Sequence, residues 1–301
     1  HRQAPLSRRR VDGVRLAEAC LSAWPSLPSP MTGVEMLEVG AIGVGAGFLG
    51  GLAGVGGSML ILPALGLILG YPDAKGTQHL YMAAAITTNL VVALPASLRH
   101  ARAGAVRVDL LRVIIPAMVV ALVVGVLLSN RLAGWELVLA LAGFQLSYCG
   151  WSLSQVGHRR PDFEPGQERA TVSRLVGSAG VSGLVAGVLG LGGGVLLVPV
   201  LQVACRVGLR QAIGTSSAVI CLTVGVGAAV KLMTLGQHGQ VWSEGLMLAG
   251  IMSPGAVVGA WVGASATHRL SLPVVRVLIV VLLGTSAVVL IRQGGRSAGW
   301  W

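Results

Sequence analysis

Charge is the scarcest commodity in this chain of 301 residues: Asp, Glu, Lys and Arg together make up 11%. An average soluble domain carries about 25%, so these side chains are too few to clothe a globule of this size in water. The same shortage excludes an intrinsically disordered chain, which is charge-rich and poor in apolar residues; here 54% are hydrophobic. Aromatics are also sparse, at 4%, and no basic stripe is interleaved with them, so the net charge of +11 does not read as a nucleic-acid surface. The cysteines, Cys20, Cys149, Cys205 and Cys221, form no CxxC and no Cys/His ligand spacing, which argues against a metal site or a disulfide framework. No HExxH, paired carboxylates or nucleophile with its base lies inside an apolar run. A membrane-embedded enzyme is therefore disfavoured, and no catalytic residue, cofactor or metal is implied.

What the chain has in excess is glycine: 44 residues, about twice the usual share, without a period of three. High Gly beside high Val, Leu and Ala is the composition of closely packed membrane helices. Eight apolar segments follow one another, at about 39–69, 81–98, 108–128, 136–153, 175–203, 212–233, 245–265 and 272–291. Most have the 18–22 residues that cross about 30 Å of hydrocarbon. The first and fifth are too long, and each carries a glycine cluster followed by a proline.

These observations predict an all-α polytopic membrane protein with about eight transmembrane helices, built as two four-helix repeats whose first helix is broken at the glycines. The expected boundaries are a disordered or spurious tail over 1–38, a first repeat over 39–153, a hydrophilic connection over 154–174, a second repeat over 175–291 and a short tail over 292–301. The first tail holds Arg8-Arg9-Arg10 and four prolines and lacks the apolar stretch of a signal peptide; Met31 is the expected translation start.

Repetition is legible in the residues. Gly47–Leu65 aligns without gaps on Gly183–Leu201 with eight identities in nineteen positions, among them Gly51/Gly187, Gly54/Gly190, Gly56/Gly192, Gly57/Gly193 and Pro63/Pro199. A second correspondence sets Ala85-Ile86-Thr87-Thr88-Asn89 against Ala212-Ile213-Gly214-Thr215-Ser216. Interrupted helices at matching positions of two halves point to a transporter binding site.

The candidate substrate-binding residues come from those two pairs of motifs. Gly56, Gly57 and Ser58 in the first half, and Gly192, Gly193 and Gly194 in the second, weaken the helix in mid-membrane. The helix that restarts after them presents unpaired N–H groups suited to an anion. The competing reading is a kink forced by Pro63 and Pro199, and the upstream Gly43, Gly47, Gly50, Gly51 and Gly54 read as helix-packing glycines. Thr88, Asn89, Thr215 and Ser216 add hydroxyl and amide groups near the start of otherwise apolar spans. For Thr87 and Ser217, hydrogen bonding back into the helix is the preferred reading. Gln145 and Tyr148 are polar enough to line a path.

Acidic residues are missing from all eight spans; Glu136 and Glu244 stand at the edges. That disfavours proton coupling through a buried carboxylate. Lys231, Arg112 and Arg276 read as side chains that snorkel to the interface, with attraction of an anion as the rival. Arg99–Gly104 reads as a cytoplasmic loop. With eight single crossings, Lys and Arg divide 16 to 6 between the faces, or 11 to 6 without the tail, which favours cytoplasmic termini. Re-entry of both long segments would instead give 5 to 12 and place the N-terminus outside; single crossings are preferred here.

The doubled G-x-x-G-x-G-G-[GS]-x4-P motif in Gly51–Pro63 and Gly187–Pro199, followed by Thr88-Asn89 and Gly214-Thr215-Ser216, resembles the TauE/SafE family over about 40–291. The resemblance implies a multi-pass protein of the cell membrane that moves sulfur-containing anions such as sulfite or organosulfonates. Export by alternating access, one four-helix half moving against the other, is the expected mechanism, with a passive anion channel as the alternative. The partners implied are a small anionic substrate, the lipid bilayer and a further copy of the chain in a homo-oligomer.

Overall fold

The computed structural model describes residues 32–54, 56–70, 76–157, 169–269 and 272–297. The sequence expectations for 1–31, 158–168 and 298–301 fall outside them, Cys20 included. Among the described residues every regular element is a helix. In chain order these are α1 (Gly33–Ala53), α2 (Ser58–Ile68), α3 (Thr77–Arg102), α4 (Val108–Ser129), α5 (Gly134–Gly157), α6 (Val172–Leu189), α7 (Gly194–Cys205), α8 (Leu209–Thr234), a 3-10 turn (Leu235–His238), α9 (Trp242–Arg269) and α10 (Leu272–Ser297). All but α2 and α7 are long and apolar enough to cross a membrane. Because the chain is apolar on almost every helix face, side chains such as Leu94, Val120, Val258 and Val288 are exposed on the bundle's outer surface, as lipid-facing positions are.

The first helix opens ahead of the expected residue 39 because Thr32 and Glu35 form a reciprocal cap. The Glu35 carboxylate accepts the Thr32 N–H at 2.8 Å and the Thr32 hydroxyl accepts the Glu35 N–H at 3.3 Å. Twenty-one residues later the helix stops at Gly54, whose left-handed φ of 64° lets its N–H close on Gly50 O. Gly190 ends α6 in the same way, with φ 71° and its N–H on Ala186 O.

The direction of each element follows from its neighbours. Along α1 and α9, a Cβ at Gly43, Gly47 or Gly51 would strike the carbonyl of Met252, Ala256 or Ala260 in turn. From the other side, Gly255, Gly259 and Gly263 face the carbonyls of Gly40, Val44 and Phe48. Numbers rise together on both helices, so α1 and α9 run parallel, interlocked through six glycines. In α4 and α6, Gly125, Gly183 and Gly187 bring backbones together in parallel likewise. Without glycine, neither pair could close, since association in lipid relies on packing at short range. The other long helices meet through side chains: Ile86 and Ala93 of α3 join Ile220, Val224 and Ala228 of α8.

One expectation is corrected here. Leu60 of α2 packs on Gly45 and Ala46 on Gly57, so α2 descends along α1 instead of continuing it. Gly70, just past α2, accepts the hydroxyl of Tyr81 near the start of α3 at 2.6 Å. The chain has thus returned to the face from which α1 set out. On the opposite face, Arg169 N–H donates to Cys205 O at 2.9 Å, so α6 and α7 return to their own face as well. Each long apolar segment enters and leaves on one side, and the preferred single crossing gives way to a hairpin. The segments exceed membrane thickness because each holds a long helix and a half-length one folded back.

Proline has a second consequence in α2. Pro63 lacks the N–H that would bond to Met59 O four residues earlier. That carbonyl is taken instead by Gln145 Nε2 of α5 and by the Ser286 hydroxyl of α10, both at 2.8 Å. Ser286 also donates to Gln145 Oε1 at 3.0 Å. The half-helix is therefore pinned to α5 and α10 by a polar knot in an apolar setting.

Candidate functional site at the meeting of two helix breaks

Asn89 is the thirteenth of the 26 residues of α3, hence at its middle. Its side chain reaches both breaks. Oδ1 accepts the Gly57 N–H at 2.6 Å, while Nδ2 donates to the Ser58 hydroxyl and, at 3.3 Å, to Leu191 O of the second break. Ser216 of α8 spans them from the other side, its single hydroxyl hydrogen shared between Gly54 O at 2.8 Å and Gly194 O at 3.2 Å. Two breaks more than a hundred residues apart in sequence are thus tied together at the centre of the bundle. Gly56 and Gly192 lie against Asn89, where a Cβ would come within 3.0 Å and 2.7 Å of Nδ2 respectively.

Other candidates take different places. Thr88 donates to Ala84 O at 2.9 Å and Thr87 to Ala83 O at 2.8 Å, each within its own helix. Thr215 accepts the Arg107 N–H at 3.1 Å and holds the turn ahead of α4. Ser217, for which the same intrahelical bond was expected, makes none: its hydroxyl is buried without a partner. A buried unpaired hydroxyl costs about 1–3 kcal/mol, and this one adjoins Ser216.

The two breaks use their polar groups differently. Gly57 N–H is satisfied by a side-chain acceptor, whereas α7 starts at Gly193 with φ 100° and no side-chain cap. Every side-chain bond to the second break ends on one of its carbonyls, Leu191 O or Gly194 O. The first-turn N–H groups of a helix have no intrahelical acceptor, and α7 opens without a side-chain cap for them. All ten candidate residues are buried. The neighbouring cavity, lined by Ala53, Ile213, Gln202, Tyr148 and Ser152 among others, has a volume of about 20 Å³, room for a water molecule and little more.

Lys231 departs from the expectation that it snorkels. It is fully buried, with Nζ 2.8 Å from His79 Nδ1, 3.0 Å from Ser129 Oγ and 2.9 Å from Asn130 Oδ1. His79, Ser129, Asn130 and His238 had no signal in the sequence because they come from three separate places, α3, the end of α4 and the 3-10 turn. The one hint is that Lys75 and Lys231 are the only lysines beside twenty arginines. Arg112 is exposed, as a snorkelling side chain would be. In Arg99–Gly104, Arg99 lies over the Trp261 ring at 5.3 Å, while His100 is buried with Nε2 3.2 Å from Gly51 O.

A family model described as "Sulfite exporter TauE/SafE" matches residues 39–290. The chain belongs to the TauE/SafE family. Among curated proteins, it is 27% identical to "Probable membrane transporter protein MamO" of Magnetospirillum gryphiswaldense, over 86% of this chain and 45% of that protein. The MamO of Paramagnetospirillum magneticum is 26% identical, with 89% of this chain and 48% of that protein covered. The chain thus spans about half the length of these two relatives. A "Probable membrane transporter protein" of Haemophilus influenzae is 27% identical, and there the match covers 78% of this chain and 88% of the other. No solved structure matches. Eight long apolar helices and membership of the family make this TauE/SafE chain a multi-pass membrane protein.

Proposed function

We propose that this protein carries small sulfur-containing anions, such as sulfite or organosulfonates, through a site where its two helix breaks meet. The observation that carries the reading is the double reach of Asn89 and Ser216, each of which touches both breaks. The anion is assigned to the second break, where the N–H groups at the start of α7 supply donors without a fixed positive charge, with the unspent hydroxyl of Ser217, next to Ser216, proposed as a further donor. Neutral donors hold an oxyanion loosely enough to release it, as a carrier must.

Alternating access needs moving bodies, and the packing supports a choice different from the two chain halves. Half against half would tear α1 from α9 and α4 from α6, where glycines bring backbones into contact. The units proposed are instead α1 with α9 and α4 with α6, hinging along the α3–α8 seam, whose contacts are side chains of moderate size. The return hairpins also change the orientation inferred from charge. Arg99, Arg102, Arg107, Arg169, Arg174, Arg206, Arg210 and Arg269 gather on the face where α3 ends, against Arg131, Arg292 and Arg296 on the other. Arginine-rich loops stay cytoplasmic, so α1 is proposed to start, and α10 to end, outside. The earlier preference for cytoplasmic termini rested on single crossings. Alkaline phosphatase fused after Trp301 is expected to be active, and inactivity overturns the orientation.

An inside-negative potential of 100 mV pushes a monoanion outward by about 2.3 kcal/mol, so an anion carried alone is exported. Radiolabelled sulfite counterflow into proteoliposomes, with a panel of sulfonates as competitors, tests the function. Saturable counterflow is the expected result. Conductive flux without saturation would turn the reading to a channel, and the lack of any flux with folded protein would remove the sulfur-anion assignment.

A further inference from the structure

Among the side chains buried to completion, the largest belongs to a lysine. Lys231 sits near the end of α8, and its partner His79 lies ten residues before Asn89 on α3, about 15 Å from the break crossing. An ammonium carries three protons, and Lys231 has three neutral acceptors within 3.0 Å: His79 Nδ1, Ser129 Oγ and Asn130 Oδ1. His79 Nε2 stands 3.3 Å from Leu132 O. A carbonyl only accepts, so that nitrogen bears the hydrogen and Nδ1 is the lone pair turned to Lys231. The His238 ring stacks on His79 with centroids 3.6 Å apart, and its Nε2 is 3.4 Å from Asn130 Oδ1. His238 is half-buried on the 3-10 turn and so connects the cluster to the face where α1 begins.

Among the described residues, the surrounding elements bring no opposite charge into contact with Lys231. From α3 come His79 and, two residues on, Tyr81, whose hydroxyl is spent on Gly70 O. Past α4 lies Arg131, exposed. Glu136 at the start of α5 accepts the Ala133 N–H, and Glu244 stands in the first turn of α9. The ion pair found among the described residues is Arg107–Asp109, on the opposite face. A buried cation with no carboxylate beside it is costly in a membrane and is kept for function.

We infer that Lys231, His79 and His238 form a proton-exchange site coupled to the anion, an inference that rests on the anion-carrier reading. In the loaded state Lys231 is an ammonium, as its three acceptors fit, and the travelling anion supplies the missing negative charge. On unloading, Nζ gives its proton to water entering beside the half-buried His238, and the anion leaves. Proton loss leaves Nζ two hydrogens, enough for His79 Nδ1 and Asn130 Oδ1, and a lone pair for the Ser129 hydroxyl to fill. The Ser129 hydroxyl must then turn from Val126 O to Nζ, so the charge change alters how α4 is held. A proton carried with each monoanion makes the cycle electroneutral, so the pH gradient in place of the potential sets the direction. Coupling of this kind uses bases where a buried carboxylate had been looked for.

The chain's two lysines make the test direct. In a Lys75→Arg variant labelled with 13C,15N-lysine, Lys231 gives the single lysine side-chain signal. The expected result is a change from ammonium to amine shifts within the pH range over which the folded protein carries sulfite. A signal that remains ammonium throughout overturns the proposal, whatever the substrate. In proteoliposomes with an internal pH dye, sulfite movement is expected to carry protons, and the ratio of protons to sulfite to collapse in Lys231→Met. Should that variant fail to fold, His238→Gln, on the half-buried turn, serves instead and slows proton movement relative to sulfite. An unchanged ratio overturns the coupling. A lysine that titrates in a protein that moves no sulfite leaves the proton site standing and sinks the anion reading.

Discussion

The breaks at Gly54–Gly57 and Gly190–Gly193 share a motif and a left-handed helix end, yet they differ in what completes them. The first has Ser58 at the helix restart and an Asn89 oxygen on its Gly57 N–H. The second has Gly194 at the restart and receives side-chain donors on its carbonyls alone. Sequence repetition produced two similar backbones; one side chain, Asn89, assigned them unequal tasks. The first break is held through an N–H, the second through its carbonyls.

The largest expected effect comes from making the second break like the first. Gly194→Ser adds a Cβ that meets Ile220 and comes within 2.6 Å of Gly54 O, and overpacking of this kind costs about 3 kcal/mol. Thermal unfolding of the purified protein should show a lowered midpoint, and an unchanged one would mean that the breaks are not in contact. Removing the anchor comes next. Asn89→Ala strands the buried Gly57 N–H and should lose about 2 kcal/mol, while Ser216→Ala, which frees only carbonyls, should lose about 1 kcal/mol. Equal losses would erase the distinction between the breaks. Ser217→Ala sharpens the ligand side of the comparison. The hydroxyl has no partner to lose, so stability should hold or rise while half-saturating sulfite increases in counterflow. The smallest effect belongs to Thr88→Val, whose hydroxyl is spent on Ala84 O. Its stability should move by less than about 0.5 kcal/mol and its counterflow should match the unmodified protein.

Much of the fold could be read from residues. Apolar segments separated by charge gave the helices, because in lipid a chain has to satisfy its backbone internally. Re-entry could not be read, since Gly56-Gly57 and Gly192-Gly193 announce an interruption without its exit direction. Helix partners were equally hidden. Gly43, Gly47 and Gly51 suggest a close neighbour, but that it is Gly255–Gly263 rather than a helix of the same half is a property of the assembled bundle. For the site, Asn89 and Ser216 were legible as polar residues in apolar spans. Ser217 was set aside because a helical serine normally bonds within its helix, and Lys231 was assigned to the surface because its acceptors are scattered over α3, the end of α4 and the turn after it.

The most direct test of the central claim is equilibrium binding of radiolabelled sulfite to the purified protein, compared with its Asn89→Asp variant. The carboxylate keeps an acceptor for the Gly57 N–H and sets a negative charge between the breaks. The account predicts saturable binding that is lost in Asn89→Asp while the variant remains folded and monodisperse. Equal binding by both proteins would contradict it and place the anion elsewhere in the bundle.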